Sequence, residues 1–531
     1  MSPRISVLTP VYNPPHDVLR STIDSVRNQT FADWELCLVN DCSPDTAIAS
    51  ILDEAAASDP RIRVLHRAEN GGITSASADA LAMATGEFIA LLDHDDLLHE
   101  AALAAIAQCA DEHPDLDYSY SDEAHLSMGG EVVTPFYKPD WSPERLRSQN
   151  YCTHFSVFRR ALAVEVGGFR HGFDGSQDYD LILRVTEKAR YIHHFTWIMY
   201  LWRQLPTSVA GDRNAKPYAY ESGQRALQEH ADRLGIEATV EMQQPLGTYR
   251  FRRAMTRTPR VSVVIPTRGT SSRVWGVDRC LIVETIESVL HKESYPDLEF
   301  VIVCDMVTPP FVVRALERLL GDRLKLVWYD RPFNYSTKCN LGVAHATGEL
   351  ILLLNDDMQV ITPDFLTTLV PIALESKVGM VGAKLFFADG TLQHAGHVYN
   401  GDPYHAMFRW SGDELGPSGL LVVQRECIGV TAACALVRMD VYDEIGGLTP
   451  LLHSNFNDVD FCMKIRGAGY DILWTPYVEM YHFESQTRVP TPTEYEHLVI
   501  RHRWSDKLHG DPYYNPNFAP FRDDWVERAL R

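Results

Sequence analysis

Short unbroken apolar runs alternate along the opening of the chain with stretches whose apolar residues recur at helical spacing. Ile5 to Thr9 is a run of the first kind, closed by Pro10 and the loop Val11-Tyr12-Asn13-Pro14-Pro15. Behind it, Leu19, Ile23 and Val26 fall on one face of a predicted helix. Trp34 to Val39 is a second strand and ends on Asn40-Asp41. A helix from Thr46 to Ala57, a strand from Ile62 to His66 and a helix from Ser75 to Met83, opened by Asn70-Gly71-Gly72, follow in turn. Phe88 to Leu92 then delivers Asp93-His94-Asp95-Asp96. Continuous apolar runs suit strands covered on both faces, and this rhythm predicts an α/β fold of βαβ units around a mostly parallel, Rossmann-like sheet.

The pattern starts afresh at Val261. There VSVVIPTRG answers ISVLTPVYN, and Thr285-Ile286-Glu287-Ser288-Val289 answers Thr22-Ile23-Asp24-Ser25-Val26. Phe300 to Asp305 answers the strand that ends on Asp41. Farther on, Gly446-Gly447-Leu448 and Asp458-Val459-Asp460-Phe461 answer Gly167-Gly168-Phe169 and Asp178-Tyr179-Asp180-Leu181. The fullest match sets Ala346 to Val360, ATGELILLLNDDMQV, against Ala84 to Asp96, ATGEFIALLDHDD. Asp93 then answers Asn355, His94 answers Asp356 and Asp95 answers Asp357. The spacing between equivalents drifts slowly, as loop insertions between duplicated domains would make it. Two domains are therefore expected, residues 1–242 and 261–531, the second with a C-terminal extension. The polar, basic, Pro-containing stretch Gln243 to Arg260 is the expected linker.

Composition narrows the classes. A chain of 531 residues, 45% hydrophobic and 23% charged, fits a soluble globular protein of at least two domains. No apolar run is long enough for a membrane helix, and the first strand begins too early to leave room for a signal peptide. Ten cysteines without CxxC or zinc-like spacing suggest reduced thiols and a cytoplasmic setting, with peripheral membrane association left open. A net charge of −22 argues against nucleic acid as a partner, though a metal can neutralise a small anionic ligand locally.

Acidic residues just past a strand's carboxyl end lie where open α/β sheets hold their ligands. Carboxylates there suit a divalent cation able to hold a diphosphate. A single Asp-Asp would equally serve a solvated turn or helix cap; its return in register behind a matching strand favours a site. Further motifs follow in order: Pro332-Phe333-Asn334-Tyr335-Ser336, Asp389-Gly390-Thr391-Leu392-Gln393-His394-Ala395-Gly396, Asn457-Asp458-Val459-Asp460, Tyr481-His482-Phe483-Glu484-Ser485 and Asp511-Pro512-Tyr513-Tyr514-Asn515-Pro516-Asn517. With these residues both halves resemble family 2 glycosyltransferases of the GT-A fold. The second half is similar to the rhamnosyl- and galactofuranosyl-type transferases of bacterial surface-polysaccharide synthesis.

The resemblance implies two tandem GT-A domains, a nucleotide-sugar donor and a glycan, lipid-linked glycan or glycoprotein acceptor. It implies donor-binding contacts from Pro10, Tyr12, Asp41 and Asp93 in one half and from Pro266, Thr267, Asp305 and Asp356 in the other. An Asp can accept the imide N–H of uracil or thymine, which points to UDP- or dTDP-sugars. Asp95, Asp357 and His482 are the expected metal ligands, a mixed set compatible with Mn²⁺ and less typical of Mg²⁺. Asp178 and Asp458 are the expected general bases of an inverting single displacement, although each opens a helical pattern and would also serve as a cap.

The halves are not equivalent. Aligning Met199-Tyr200-Leu201-Trp202 on Met480-Tyr481-His482-Phe483 sets Leu201 opposite His482, so the first half is expected to lack one ligand. Two other readings stay open: a first half that only binds nucleotide-sugar or glycan, and a nucleotidyltransferase. Against the latter, the first half shows no Gly-rich, Lys- or Arg-bearing loop after its first strand.

Overall fold

A computed structural model describes residues 2–127, 130–204, 217–483 and 491–529. Contacts divide the chain into two compact units. One comprises Met1–Trp141 and Leu146–Phe251, the other Ser142–Arg145 and Arg252–Arg531. Glu484 and Ser485, part of the quoted Tyr481-His482 motif, lie outside the described residues.

The first unit contains β1 (Ile5–Val11), β2 (Trp34–Asn40), β3 (Ile62–His66), β4 (Phe88–Leu91), β5 (Leu97–Leu98), β6 (Leu116–Leu126), β7 (Val132–Phe136), β8 (Val157–Arg159) and β9 (Tyr191–Arg203). They form one sheet of order β3-β2-β1-β4-β8-β6-β9-β5, with β7 added on β6. A separate two-stranded sheet joins β10 (Ala238–Met242) to β11 (Tyr249–Arg253). The stretch expected as a linker thus carries a strand, and the division between units falls after Phe251.

The second unit contains β12 (Val261–Thr267), β13 (Ser271–Val274), β14 (Val277–Cys280), β15 (Leu298–Asp305), β16 (Leu324–Tyr329), β17 (Leu350–Leu354), β18 (Met358–Val360), β19 (Val378–Phe386), β20 (Leu392–His394), β21 (His397–Tyr399), β22 (Pro403–His405), β23 (Arg425–Glu426), β24 (Cys434–Arg438) and β25 (Asp471–His482). Its main sheet runs β16-β15-β12-β17-β24-β19-β25-β18, matching the first strand for strand. Both units are α/β. In each, four strands pair in parallel, and the rest of the sheet mixes antiparallel pairs with one parallel pair, β6–β9 or β19–β25.

The apolar runs behave as their pattern demands. Leu350, Leu352 and Leu354 of β17 pack into one buried cluster, and Ile351 and Leu353 into another on the opposite face. Burying each such side chain contributes roughly 1.5–3 kcal/mol, so the central strand is fixed from both sides.

The Thr-Gly before that strand has a structural cause. Glu299 on β15 accepts hydrogen bonds from Ser262 Oγ, from Thr347 N–H (2.6 Å) and from Thr347 Oγ1 (2.9 Å). Gly348 N–H donates to Ser262 Oγ at 2.8 Å. A Cβ on Gly348 would stand 2.6 Å from that oxygen, so glycine is required by the close approach. Glu35, Ser6, Thr85 and Gly86 build the same clamp in the first unit. These clamps tie the amino ends of three strands, so the carboxyl ends of those strands are left to the loops that build the site.

Candidate active site

In the second unit, three strand ends converge. Thr267, the last residue of β12, donates its hydroxyl to Asp356 Oδ2 at 2.5 Å and accepts the Gly269 N–H at 2.9 Å. Pro266 precedes it within the strand. Asp305 closes β15, with Oδ1 2.9 Å from Nζ of buried Lys338, which also donates to the Thr267 carbonyl at 3.0 Å. Asp356 is pushed up to about 6 by burial and by neighbouring Asp357, against the Thr267 hydrogen bond and the Lys338 charge.

Asp357 meets His482 across the sheet. Met358 of β18 pairs with His482 of β25, which brings His482 Nε2 to 3.2 Å from Asp357 Oδ1. The other ring nitrogen, Nδ1, stands 2.7 Å from Gln393 Oε1, and Nε2 is 3.1 Å from Asn355 Nδ2. Gln393 can only accept through Oε1, so Nδ1 carries a proton and donates it. Tyr335 OH donates to Asn355 Oδ1 at 3.0 Å and orients that amide. Asp357 Oδ1 is a buried oxygen that accepts no hydrogen bond from the described residues. Neighbouring ligands about 2.1 Å from one octahedral cation lie about 3 Å apart. The Asp357–His482 spacing and that orphaned oxygen therefore fit a divalent cation.

Asp458 sits in the first turn of helix Asn457–Gly467, accepting Val459 N–H at 2.9 Å, with Oδ2 4.0 Å from His397 Nε2. Burial pulls His397 down to about 3, so this imidazole is neutral beside the acid. The partner of the doublet is differently employed. Asp460 is fully buried and accepts from Arg503 Nε (2.6 Å), Trp504 Nε1 (2.8 Å) and Thr449 Oγ1 (2.5 Å). Asp511, of the C-terminal motif, accepts the Tyr399 and Tyr513 N–H groups and so braces the strand that carries His397.

The first unit repeats this plan with changes. Tyr12 is 49% exposed at the end of β1 beside Pro10, whose carbonyl is 3.1 Å from His94 Nδ1. Asp41 is buried, and its two oxygens accept the Gly71 and Gly72 N–H groups at 2.9 Å each, with Arg67 Nε 3.2 Å away. Asp41 therefore holds the Gly71–Gly72 turn. Asp178 lies in the first turn of helix Gln177–Thr186 and accepts Asn150 Nδ2 at 3.2 Å; loss of water pushes its carboxyl up. Asp180, like Asp460, is spent on structure, paired with Arg170 and Arg184. Asp95 is raised by burial and by Asp93, opposed by His94.

Strand register corrects one alignment. Leu201 does not stand opposite His482. Tyr118 and Met380 are equivalent, since each pairs with the residue (Phe158 or Val437) that faces Ile89 or Ile351. Counting along β6 and β19 makes Ala124 equivalent to Phe386, and these pair with Leu201 and Tyr481. Trp202 therefore takes the place of His482. The shared Met-Tyr pair invites the one-residue slip, which only hydrogen-bond register exposes. Indole, like leucine, does not ligate a metal.

Lys338, Gln393 and His397 were not singled out as site residues. Lys338 had the plainest signal, a charge buried in a helix of otherwise apolar or small inward residues. Gln393 lies in a quoted motif, but its partner is distant in sequence.

A family model described as "Glycosyl transferase family 2" matches residues 6–167, and one described as "Glycosyltransferase like family 2" matches residues 259–506. The uncharacterized protein y4gI of Sinorhizobium fredii is 40% identical over 544 residues, spanning 100% of this chain and 59% of its own length. O-antigen biosynthesis protein RfbC of Myxococcus xanthus is 36% identical over 525 residues, 97% of this chain and 40% of its own length. The chain thus spans less than two thirds of these curated relatives. Among solved structures, S. aureus TarS 1-349 in complex with UDP-GlcNAc is 20% identical, covering 43% of this chain and 66% of that chain, with a TM-score of 0.36.

Proposed function

The chain belongs to glycosyltransferase family 2, and from that premise we propose that it is a metal-dependent, inverting glycosyltransferase with an active site in each unit. It moves sugars from UDP- or dTDP-linked donors onto a growing surface polysaccharide, working in the cytoplasm. The observation that carries this reading is the pairing of Asp357 and His482 at the end of a central strand, in the unit where Asp458 opens a helix beside neutral His397. That RfbC is named for O-antigen biosynthesis supports a polysaccharide acceptor.

The residues divide the work. Pro266, Thr267 and Asp305 hold the nucleotide of the donor, as Pro10, Tyr12 and Asp41 do in the first unit. Asp357 and His482, with Asp356 beside them, would hold a divalent cation such as Mn²⁺, which would supply positive charge for the donor diphosphate. In the first unit Asp95 takes the place of Asp357, with Asp93 beside it. Asp458 accepts the proton of the acceptor hydroxyl as its oxygen attacks the anomeric carbon. Attack from the face opposite the leaving diphosphate inverts that carbon, and base assistance of this kind contributes about 10²–10⁴-fold. Asp178 plays the same part in the first unit.

Thermal-shift screening of the full chain against UDP-, dTDP- and GDP-sugars with Mn²⁺ identifies the donor, since a ligand bound by the native state alone raises apparent stability. Product analysis with that labelled donor then tests transfer. Donor binding without a new glycosidic bond, with hydrolysis excluded, would sink the enzymatic reading. A second reading, in which the first unit binds donor or glycan without turnover, draws on Trp202 standing in the place of His482.

A further inference from the structure

Besides His94, which lies in the acidic turn with Nδ1 3.1 Å from the Pro10 carbonyl, the first unit brings an imidazole to that turn from the segment before β8. His154, in the segment leading into β8, stacks on Tyr200 and packs against Trp202, with ring centroids 4.7 and 5.1 Å apart. Its Nε2 lies 3.9 Å from Asp93 Oδ2, and its Nδ1 lies 3.5 Å from Oε2 of buried Glu123. Asp93, Asp96 and His154 each offer a ligand atom, and these lie within 4.8 Å of one another.

The second unit shows the same orientation from a different source. There Nε2 of His482 faces the acidic turn, while Nδ1–H is held by the buried oxygen of Gln393. A metal-bound histidine ordinarily anchors its second nitrogen on such an acceptor, which fixes tautomer and ring plane. Several positions differ between the units: Asp93 stands for Asn355 at the strand end, His94 stands for Asp356 beside it, Trp202 stands for His482 on the long strand, and His154 enters from the segment that leads into β8. Asp96 is not freely offered, because it accepts Tyr200 OH at 2.6 Å and Arg203 N–H at 2.7 Å. Asp93 is therefore the turn acid that faces His154, and Asp95 comes from the metal set already proposed.

We infer that His154 is the imidazole ligand of the first unit's divalent cation, acting with Asp95 and Asp93 in the place that His482 fills in the second. This rests on the reading that the first unit binds a metal through Asp95. The Glu123 carboxylate, 3.5 Å from Nδ1, is the acceptor on the far side of the ring. Lys138, paired with Glu123 at 2.8 Å, keeps that carboxylate in position.

The test uses the full chain carrying Asp357→Asn and His482→Ala, which removes the second unit's site. Mn²⁺ titration followed by electron paramagnetic resonance is expected to show one bound ion, with electron spin-echo modulation from a coordinated imidazole nitrogen. Adding His154→Gln should abolish that modulation and weaken Mn²⁺ binding at least about tenfold. A third chain that combines His154→Gln with Trp202→His offers an imidazole from the strand used in the second unit and should regain the modulation. Unchanged affinity and modulation in a folded His154→Gln chain would overturn the inference, leaving His154 a buried partner of Glu123. An ion lost with Asp95→Asn but showing no imidazole modulation would overturn it while sparing the metal reading. No Mn²⁺ bound in the starting chain would overturn both.

Discussion

His482 Nε2 and Asp357 Oδ1 stand 3.2 Å apart, one from the last residue of β25 and the other from the turn after β17. Gln393 fixes the ring from behind, so the nitrogen that faces the acid is the one able to bind a cation.

Removing either side of this pair should therefore weaken the metal and the donor together. Asp357→Asn is expected to raise the Mn²⁺ dissociation constant and, in consequence, the donor dissociation constant measured at fixed Mn²⁺. Chelation with EDTA should abolish transfer by the second unit and Mn²⁺ should restore it. Full transfer in chelator would remove Asp357 and His482 from the mechanism.

Asp458→Asn should behave differently. Donor affinity is expected to stay within about twofold, while kcat falls about 10²–10⁴-fold, because the proton is taken only as the bond forms. Single-turnover rates beside equilibrium donor binding separate the two quantities. Near-normal turnover would reduce Asp458 to a helix cap.

Asp178→Asn and Asp458→Asn, assayed separately for product mass and linkage, test whether both units work. Each variant is expected to stall at a different product. Wild-type product at the wild-type rate from Asp178→Asn would make the first unit a binding domain.

The strand-end clamp makes a prediction about stability. Burial alone would raise the Glu299 carboxyl, but Lys325, Ser262 and Thr347 outweigh it and hold the group down to about 2, against an ordinary 4.5. A depressed acid stabilises the fold fully above its ordinary value and loses that contribution as pH falls toward the folded one. Denaturant midpoints should therefore drop between about pH 4.5 and 2, and the drop should be smaller in Glu299→Gln. Ser262→Ala should cost about 1–3 kcal/mol at neutral pH by leaving buried partners unpaired.

The sequence is most legible where burial alone decides the outcome. Leu350 to Leu354 forms the strand expected of it, to the residue, because an apolar run buried on both faces sets its own limits. Asp95, Asp357 and Asp458 stand out in the sequence as candidates because each lies at a local signal, a strand end or a helix start. Trp202 was misplaced by one position because β-bulges between β6 and β9 shift register without leaving a mark in composition. His154 was silent for another reason: its importance comes from Asp93, Glu123 and Trp202, none of them near it in sequence, and a lone histidine has no pattern.

The clamps also bear on how the chain reaches its fold. Gly86 bonds to Ser6 across a sequence separation of 80, and Gly348 to Ser262 across 86. The first strand of each sheet pairs with β4 or β17, far downstream, as well as with its nearer neighbour. Such long loops must close before the contacts repay the lost entropy, which makes folding intrinsically slow. Until Phe88 to Leu91 has been synthesised, β1 has one unpaired apolar edge, open to pairing with another chain. A fragment ending before Phe88 should therefore aggregate rather than fold, however complete its first two helices.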